Sequence, residues 1–342
     1  MNKEDKTVIT DLSITSLKES LQSLGFKSYA AAQILQWLYQ KRVTFFEEMS
    51  NLSENNRQKL ADHFEMASTK VLNIKNSSDG TCLFLFELAD GKKVEAVYIP
   101  AESGRKTICL STQVGCAMDC TFCRTGQMGL MRNLTQGEIL EQVLAIQRCF
   151  PGEEITNLVF MGMGEPMANL SQLVPAIEIL KDPKMFGFPK KKITVSTAGL
   201  VPKMVEFVQQ VDVKLAISLH APNDSLRDQL MPINKRYPLK VLMEFCREFS
   251  KGPRNLVTFE YVMLKNVNDS PDLCKELVQL LEGIPSKINL IPFNPFPTVD
   301  YQPSDNNTIK QWVDILYHAG IQTNVRANRG RDILAACGQL AA

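Results

Sequence analysis

The 342-residue sequence lacks any apolar run long enough to span a bilayer. Its first six residues, MNKEDK, are mostly charged, and no apolar signal core follows them. These absences argue against a membrane-spanning or secreted protein. We therefore expect a cytoplasmic protein that makes no membrane contact.

The sequence also lacks the cysteine pattern of a small secreted domain, because its nine cysteines are an odd number in a long chain. In a reducing compartment, a tight group of thiols more often marks a metal site. The net charge of +1 neither requires nor excludes nucleic acid, since a local basic patch can be balanced elsewhere.

Strand and helix patterns alternate from KTICLST to DNNTIKQWVDILYHAG, and about six such units are visible. Short β-branched strands that alternate with amphipathic helices predict a parallel sheet with crossover helices. We therefore predict an α/β fold, a partial (β/α)6 barrel. Residues 1–98 are helical and then form short strands, and we predict a small N-terminal accessory region there. Residues 99–342 are predicted to be the core barrel with a C-terminal tail.

The segment GCAMDCTFCRTG contains three cysteines within eight residues: Cys116, Cys120 and Cys123. No fourth ligand follows closely, and the nearest candidates are Cys109, Cys149 and His220. Structural zinc usually takes four ligands, whereas an iron–sulfur cluster is held by thiolates. Three protein ligands on a four-iron cluster leave one iron open to a ligand that is not protein. A zinc site completed by a distant cysteine stays the alternative.

This C-x3-C-x2-C spacing after the first barrel strand resembles the radical S-adenosylmethionine (SAM) superfamily. The resemblance implies that the three cysteines hold a [4Fe-4S] cluster. It also implies that SAM binds the open iron through its amino and carboxylate groups. Reduction would then yield a 5′-deoxyadenosyl radical, and the protein would supply orientation and shielding.

Polar residues follow the predicted strands at their C-terminal ends, where barrels of this kind carry their functional groups. Singly, each is typical of a turn or of a satisfied structural group. Together they predict a pocket for a polar, zwitterionic ligand, and the resemblance implies that Gly164 and Glu165 contact the SAM amino group. The remaining residues that it places around SAM are Ser196, Ser218, Leu219, His220 and Asn294.

Longer motifs narrow the resemblance: VEAVYIP, STQVGCAMDCTFCRTGQMGLMRNLT, FMGMGEPMANL, SLHAP, MPINKRYP, NLIPFNPFP and AACGQL. They resemble the RlmN family of radical SAM adenine-C2 methyltransferases, which act on 23S rRNA and, in some members, on tRNA. The likeness runs over nearly the whole chain. The sister Cfr proteins methylate C8 of the same rRNA adenine.

The RlmN resemblance implies three catalytic residues. Cys337 would first accept a methyl group from SAM, and Cys109 would resolve the product through a transient disulfide with Cys337. Glu95 would accept a proton. Without the resemblance, a strand cysteine is usually a small core residue, and a strand glutamate usually faces solvent. The resemblance further implies an electron donor such as flavodoxin and a monomeric enzyme.

Basic residues in several loops are candidates for contacts with RNA phosphates, which position a nucleic acid without reading its sequence. Each of them singly is more often part of a solvated surface. The candidates are Arg132, residues 189–192, Lys235, Arg236, Arg326, Arg329 and Arg331.

Two alternatives remain at this point: a C8 methyltransferase of the Cfr type, and a zinc-stabilised RNA-binding protein without chemistry. The radical SAM hypothesis predicts about four irons and labile sulfide per chain in brown protein purified without oxygen. Metal and sulfide analysis measures this. Colourless protein with stoichiometric zinc, and tolerance of Cys337→Ala, would instead support the zinc alternative.

Overall fold

The structure is a computed structural model, and it describes residues 6–67, 69–252 and 256–342. The charged residues 1–5 and the first residue of the predicted strand NLVTFEYVML lie outside the described residues. Among the helices that are described, none is long and apolar enough to cross a membrane.

Fourteen strands lie in the described part of the chain. They are β1 (Thr7–Val8), β2 (Phe64–Glu65), β3 (Lys70–Asn76), β4 (Cys82–Glu87), β5 (Lys93–Pro100), β6 (Lys106–Cys109), β7 (Gln113–Gly115), β8 (Leu130–Asn133), β9 (Asn157–Phe160), β10 (Ile193–Thr197), β11 (Lys214–Ser218), β12 (Val257–Met263), β13 (Ser286–Pro292) and β14 (Gln322–Val325).

The same described ranges contain eleven α-helices. They are α1 (Ile14–Ser23), α2 (Ala30–Gln36), α3 (Glu54–His63), α4 (Arg124–Gln127), α5 (Gln136–Cys149), α6 (Leu170–Lys181), α7 (Val201–Gln210), α8 (Asp224–Leu230), α9 (Leu239–Ser250), α10 (Pro271–Leu280) and α11 (Asn306–His318).

One ten-stranded sheet organises the molecule, in the order β14-β13-β12-β11-β10-β9-β6-β5-β4-β3. Strand β6 and strands β9 to β14 pair in parallel and in chain order, which requires a crossover between successive strands. Helices α5, α6, α7, α9, α10 and α11 lie within these crossovers. The predicted α/β barrel class is therefore confirmed, with β14 as an additional parallel strand.

The accessory strands extend the barrel sheet instead of forming a sheet of their own. β3, β4 and β5 pair antiparallel, and β5 pairs antiparallel with β6, so that Ile99 lies opposite Thr107. Residue 98 therefore falls inside a continuous strand. The division of the chain at residues 98 and 99 stays a prediction.

The N-terminal helical region packs against the first crossover helix, α5. A capping box formed by Thr135 and Glu138 begins α5. Next to it, the Gly137 N–H donates to the Asp11 carboxylate at 2.8 Å, and the Gln136 amide donates to the Thr10 carbonyl at 2.9 Å. A side chain at Gly137 would overlap Asp11. These contacts join the accessory region to the barrel at the N-terminus of α5.

Candidate active site

The cysteine loop is held in shape by the hairpin of β7 and β8. Gly115 has a φ of 75°, and a Cβ there would lie 1.8 Å from the Gly129 carbonyl oxygen. The adjacent Cys116 N–H donates to that same oxygen at 3.0 Å. Only glycine allows this close approach of two backbones. The contact fixes the position at which the cysteine loop begins.

Cys116, Cys120 and Cys123 line one cavity at the C-terminal ends of the parallel strands, which we call the rim cavity. All three are free thiols, and burial raises the pKa of each of them. Buried thiols without a cation favour the neutral form, whereas a bound metal makes them thiolates. The shared cavity and the thiol chemistry therefore fit an iron–sulfur cluster.

Within residues 6–67, 69–252 and 256–342, no group of three or more His, Cys, Asp or Glu side chains is arranged to hold a metal ion. The prediction that these three cysteines hold a cluster therefore depends on their spacing and on the cavity that they share.

Gly164 and Glu165 lie on the wall of the rim cavity, directly after β9. Gly164 has a φ of 102°, and a Cβ there would lie 2.6 Å from the side chain of Gln113. The Glu165 carboxylate accepts hydrogen bonds from the N–H groups of Met167 at 3.0 Å and Ala198 at 2.7 Å. Burial raises the pKa of Glu165, and the bond from Ala198 opposes that rise.

His220 lines the same cavity with φ of 58° in the left-handed region. Its Nδ1 accepts from the Val262 N–H at 2.9 Å. Burial lowers the pKa of His220 to about 3, so the ring is neutral at ordinary pH. A neutral ring whose Nδ1 accepts must carry its proton on Nε2. His220 can therefore offer that N–H to a ligand.

Asn294 lines the rim cavity and carries a buried acceptor, Oδ1, that has no hydrogen-bond partner. A buried unpaired oxygen costs free energy unless a ligand satisfies it. Its amide nitrogen donates to the Cys337 carbonyl at 3.3 Å. The unpaired oxygen therefore marks a place where a donor group of a ligand, such as an amino or hydroxyl group, fits.

Six of the seven residues predicted to surround SAM line the rim cavity: Gly164, Glu165, Ser196, Ser218, His220 and Asn294. Leu219 differs, because it is fully buried and is not among the lining residues. The backbone of Leu219 helps to hold the cavity wall: its N–H donates to the Glu260 carbonyl at 3.0 Å, and its carbonyl accepts from Arg227.

Arg227 is a buried residue of the site that sequence reasoning missed. Its guanidinium donates to the carbonyls of Ala198 at 2.8 Å and Ser218 at 3.1 Å, and to the Asn234 side chain at 2.8 Å. It thereby fastens together the ends of β10 and β11. The MPINKRYP motif contains Asn234, but its spacing alone gives no sign of this long-range contact.

The C-terminal tail is docked onto the barrel through both main-chain and side-chain bonds. Asp332 accepts from the Ser77 hydroxyl at 2.6 Å, and Asp79 accepts from the Gly330 N–H at 3.0 Å. Further along, the Gly338 carbonyl accepts from the Arg124 N–H at 2.8 Å. These hydrogen bonds position the tail so that Cys337 lines the rim cavity.

Cys109 and Cys337 both line a second cavity inside the barrel, which we call the lumen cavity. Its wall includes residues from the N-terminal halves of the parallel strands: Thr107, Asn157, Thr194, Lys214, Thr258 and Lys287. The rim and lumen cavities share six lining residues: Met161, Glu260, Ile291, Asn294, Arg326 and Cys337. Cys337 therefore lies at the junction of two adjoining cavities.

Glu95 lines neither cavity among the described residues. It is buried on β5, and its carboxylate accepts from the Ala341 N–H at 2.8 Å. Burial raises its pKa, against which the bond from Ala341 acts. In this structure, the predicted proton acceptor thus helps to hold the tail.

The structure also locates the predicted phosphate contacts. Arg132 is engaged by two carboxylates, Asp90 at 2.7 Å and Glu138 at 2.7 Å, so its charge is already balanced. Lys190 pairs with Asp212. Arg326 points into both cavities, and Arg329 lines the lumen cavity. The interpretation of Arg132 as a phosphate contact is therefore not favoured by its geometry.

Two family profiles match the chain. Residues 110–277 match the radical SAM superfamily, and residues 7–66 match the ribosomal RNA large subunit methyltransferase N-terminal domain. The first match contains the cysteine loop and four of the strands around the rim cavity, and the second covers the N-terminal helical region.

Similar proteins cover almost the whole chain. A protein of Alcanivorax borkumensis named dual-specificity RNA methyltransferase RlmN is 45% identical, over 99% of this chain and 91% of its own length. A Psychrobacter arcticus protein of the same name is 45% identical over 98% of this chain and 88% of its own. A radical SAM methyltransferase structure from Sphaerobacter thermophilus matches with a TM-score of 0.94, 40% identity, and coverage of 97% and 98%.

The low pKa of His220 predicts a pH-dependent stability. An unfolded histidine titrates near 6.5, so below that pH the unfolded chain binds a proton that the folded chain excludes until about pH 3. We expect the free energy of unfolding to fall by about 1 kcal/mol from this group between pH 7 and 5.5. Urea denaturation of His220→Asn should show a shallower pH slope than the parent.

His63→Gln is the control, because it removes a histidine that is exposed in the folded chain. Its free energy of unfolding should depend on pH as that of the parent does. Equal slopes for the parent and His220→Asn would contradict the assignment of a buried, neutral ring.

Proposed function

Because the chain belongs to the RlmN family of radical SAM RNA methyltransferases, we propose that it methylates C2 of an adenine in 23S rRNA and in tRNA. The methyl group would travel on Cys337. One observation carries this proposal: Cys337 lines both the cavity of the three cluster cysteines and the lumen cavity that also contains Cys109.

The chemistry of adenine explains why a protein-borne carbon is needed. C2 is an electrophilic carbon without a nucleophilic lone pair, so it cannot attack the methyl group of SAM in a polar transfer. A carbon radical attached to a protein sulfur can add to C2 instead. This requirement accounts for a thiol that faces both a radical source and a nucleobase.

The rim cavity holds the residues that would bind the cofactors. Cys116, Cys120 and Cys123 would hold the [4Fe-4S] cluster, which together with SAM supplies a radical able to remove hydrogen from a methyl group. Asn294 Oδ1 would accept from a SAM donor group, and the Nε2–H of His220 would donate to an acceptor. Both groups are fixed by backbone contacts, so they orient the ligand with little loss of side-chain entropy.

Cys109 would release the product. Its thiolate would attack the sulfur of Cys337 in the Cys337–CH2–adenine thioether, forming the Cys109–Cys337 disulfide. The carbon–sulfur bond breaks, its electron pair goes to the methylene carbon, and protonation of that carbon gives the methyl group. The thioether carbon is reduced by two electrons, and the two sulfurs are oxidised by two. Both cysteines are free thiols here, as this order of events requires.

Addition of the carbon radical to C2 leaves a radical adduct, which becomes the closed-shell thioether when it loses the C2 proton and one electron. Glu95 would accept the proton once it has released the Ala341 N–H, and the electron would return to the [4Fe-4S] cluster. The tail would then shift when the base enters. A carboxyl whose pKa is raised by burial is a better proton acceptor than an exposed one.

The lumen cavity fits the approach of an extruded nucleotide. Its lining includes the cations Arg105, Lys214, Lys287 and Arg329, none of which has an ion-pair partner in the described part of the chain. Burial and the neighbouring Lys287, Lys192 and Lys191 lower the pKa of Lys214, which shows that the lysines crowd together. Cations attract phosphates, and the amides of Asn157, Asn289 and Asn324 can bond to base edges.

The resemblance also supports three further properties. The enzyme would take electrons from a donor such as flavodoxin, act as a monomer and work in the cytoplasm.

Protein purified without oxygen should carry one extra methyl group on Cys337. Peptide mass spectrometry detects it as the mass of one CH2. Replacing Cys116, Cys120 and Cys123 together with alanine should abolish this methyl group, because its transfer to Cys337 requires the cluster that these cysteines would hold. Cys149→Ser is the control, since Cys149 is an exposed thiol outside both cavities. An unmodified Cys337 in protein with an intact cluster and ample SAM would reject the carrier role.

The double variant Lys214→Gln/Lys287→Gln should bind substrate RNA more weakly, and the slope of log K against log salt should fall by about two. Filter binding over a salt series measures this. Lys251→Gln/Lys275→Gln removes the same charge from exposed helices and should leave the slope unchanged. An unchanged slope in the first variant would show that RNA does not enter by the lumen cavity.

A further inference from the structure

Arg326 is the one guanidinium, among the described residues, that lines both the rim and the lumen cavity. It follows β14 directly, and its backbone N–H donates to the Leu290 carbonyl at 2.8 Å. A third of its side chain is exposed, and both cavities account for that exposure because Arg326 is part of their walls. The Arg326 side chain therefore faces the two cavities and not the outer surface of the protein.

A fixed carboxylate holds the guanidinium in place. Nη1 of Arg326 lies 3.4 Å from Oε2 of Glu260 and 3.4 Å from Sδ of Met161. Glu260 is buried, and its Oε1 accepts from the Asn289 amide at 2.8 Å. This chain of contacts restrains a long side chain that would otherwise sample many rotamers.

Cys109 shares the lumen cavity with Cys337 and Arg326, and the other charged side chains of its wall are Arg105, Lys214, Glu260, Lys287 and Arg329. Cys337 and Arg326 act electrostatically on the Cys109 thiol, and the Met161 N–H donates to its sulfur. Burial raises the pKa of Cys109 to about 12, Cys337 raises it as well, and Arg326 opposes that rise. Burial alone would lower the pKa of Arg326, but the two thiols and Glu260 raise it above its usual value. Arg326 thus interacts electrostatically with both thiols.

We propose that Arg326 is a positioning residue that stabilises the Cys109 thiolate for its attack on the sulfur of Cys337. The inference rests on the proposed function, because product release by Cys109 belongs to that function. A thiolate is the attacking species in thiol–disulfide exchange, and a buried one needs a nearby cation. The Arg326 guanidinium lines the lumen cavity together with both thiols, so it can supply that positive charge.

Glutathione disulfide tests this step without RNA. It converts the exposed Cys337 to a mixed disulfide, and Cys109 thiolate then attacks the Cys337 sulfur and releases reduced glutathione. The product is the Cys109–Cys337 disulfide, and no further oxidant is needed. Acid quenching and peptide mass spectrometry measure its rate of formation and distinguish it from reactions at Cys149. The assay uses the full chain with Cys116, Cys120 and Cys123 replaced by alanine, because Cys337 should carry no methyl group there and should keep its free thiol.

Arg326→Gln should slow this exchange about tenfold, because one nearby opposite charge is worth one pKa unit or more. The lost rate should return with alkali, so that the variant at pH 9 matches the parent at pH 8. Arg326→Lys should restore most of the rate. In enzyme with an intact cluster, and with SAM and RNA present, Arg326→Gln should also accumulate a covalent protein–RNA adduct on denaturing gels.

Arg247→Gln, which removes an exposed guanidinium outside both cavities, is the control and should exchange at the parent rate. Equal rates for Arg326→Gln and the parent would overturn the proposal, and so would a loss of rate that alkali does not restore. Absence of a methyl group on Cys337 would instead contradict the proposed function, while the exchange assay would still decide the role of Arg326.

Discussion

The parallel pairing of β6 and β9 to β14 is the constraint on which the rest of the structure depends. Because these strands pair in parallel and in chain order, their carboxyl ends come to the same edge of the sheet. Residues that are far apart in the chain, such as Gly164, Ser218 and Asn294, therefore line one cavity. Arg227 reinforces this edge, since it bonds to carbonyls at the ends of both β10 and β11.

The tail adds the part of the site that the sheet does not supply. It is fastened by Asp332 and Gly330 at its start and by Gly338 near its end, so that Cys337 and Arg326 come between the rim and lumen cavities. The same docking engages Glu95 with the Ala341 N–H. One segment thus presents the carrier thiol and at the same time restrains the predicted proton acceptor, which couples the position of the tail to the chemistry.

Much of the fold could be predicted from the sequence, because long amphipathic helices and β-branched strands have strong periodic signals. The helix of residues 136–149 and the strand of residues 257–263 are examples. β14 has no such signal, since three of its four residues, QTNV, are polar and none of the four is buried. The short hairpin of β7 and β8 was missed, because close backbone contact between two glycines leaves no pattern in hydrophobicity.

The sequence by itself determined the α/β class, the cysteine loop and the family, since these depend on local periodicity, on spacing within a few residues and on motifs. Only the tertiary structure decided which side chains share a cavity. It placed Leu219 behind the wall, occupied Glu95 with a backbone amide, paired Arg132 with two carboxylates and turned Arg326 into the wall that the rim and lumen cavities share. The physical reason is that burial, charge partners and pKa shifts arise from contacts between residues distant in the chain, which no local pattern records.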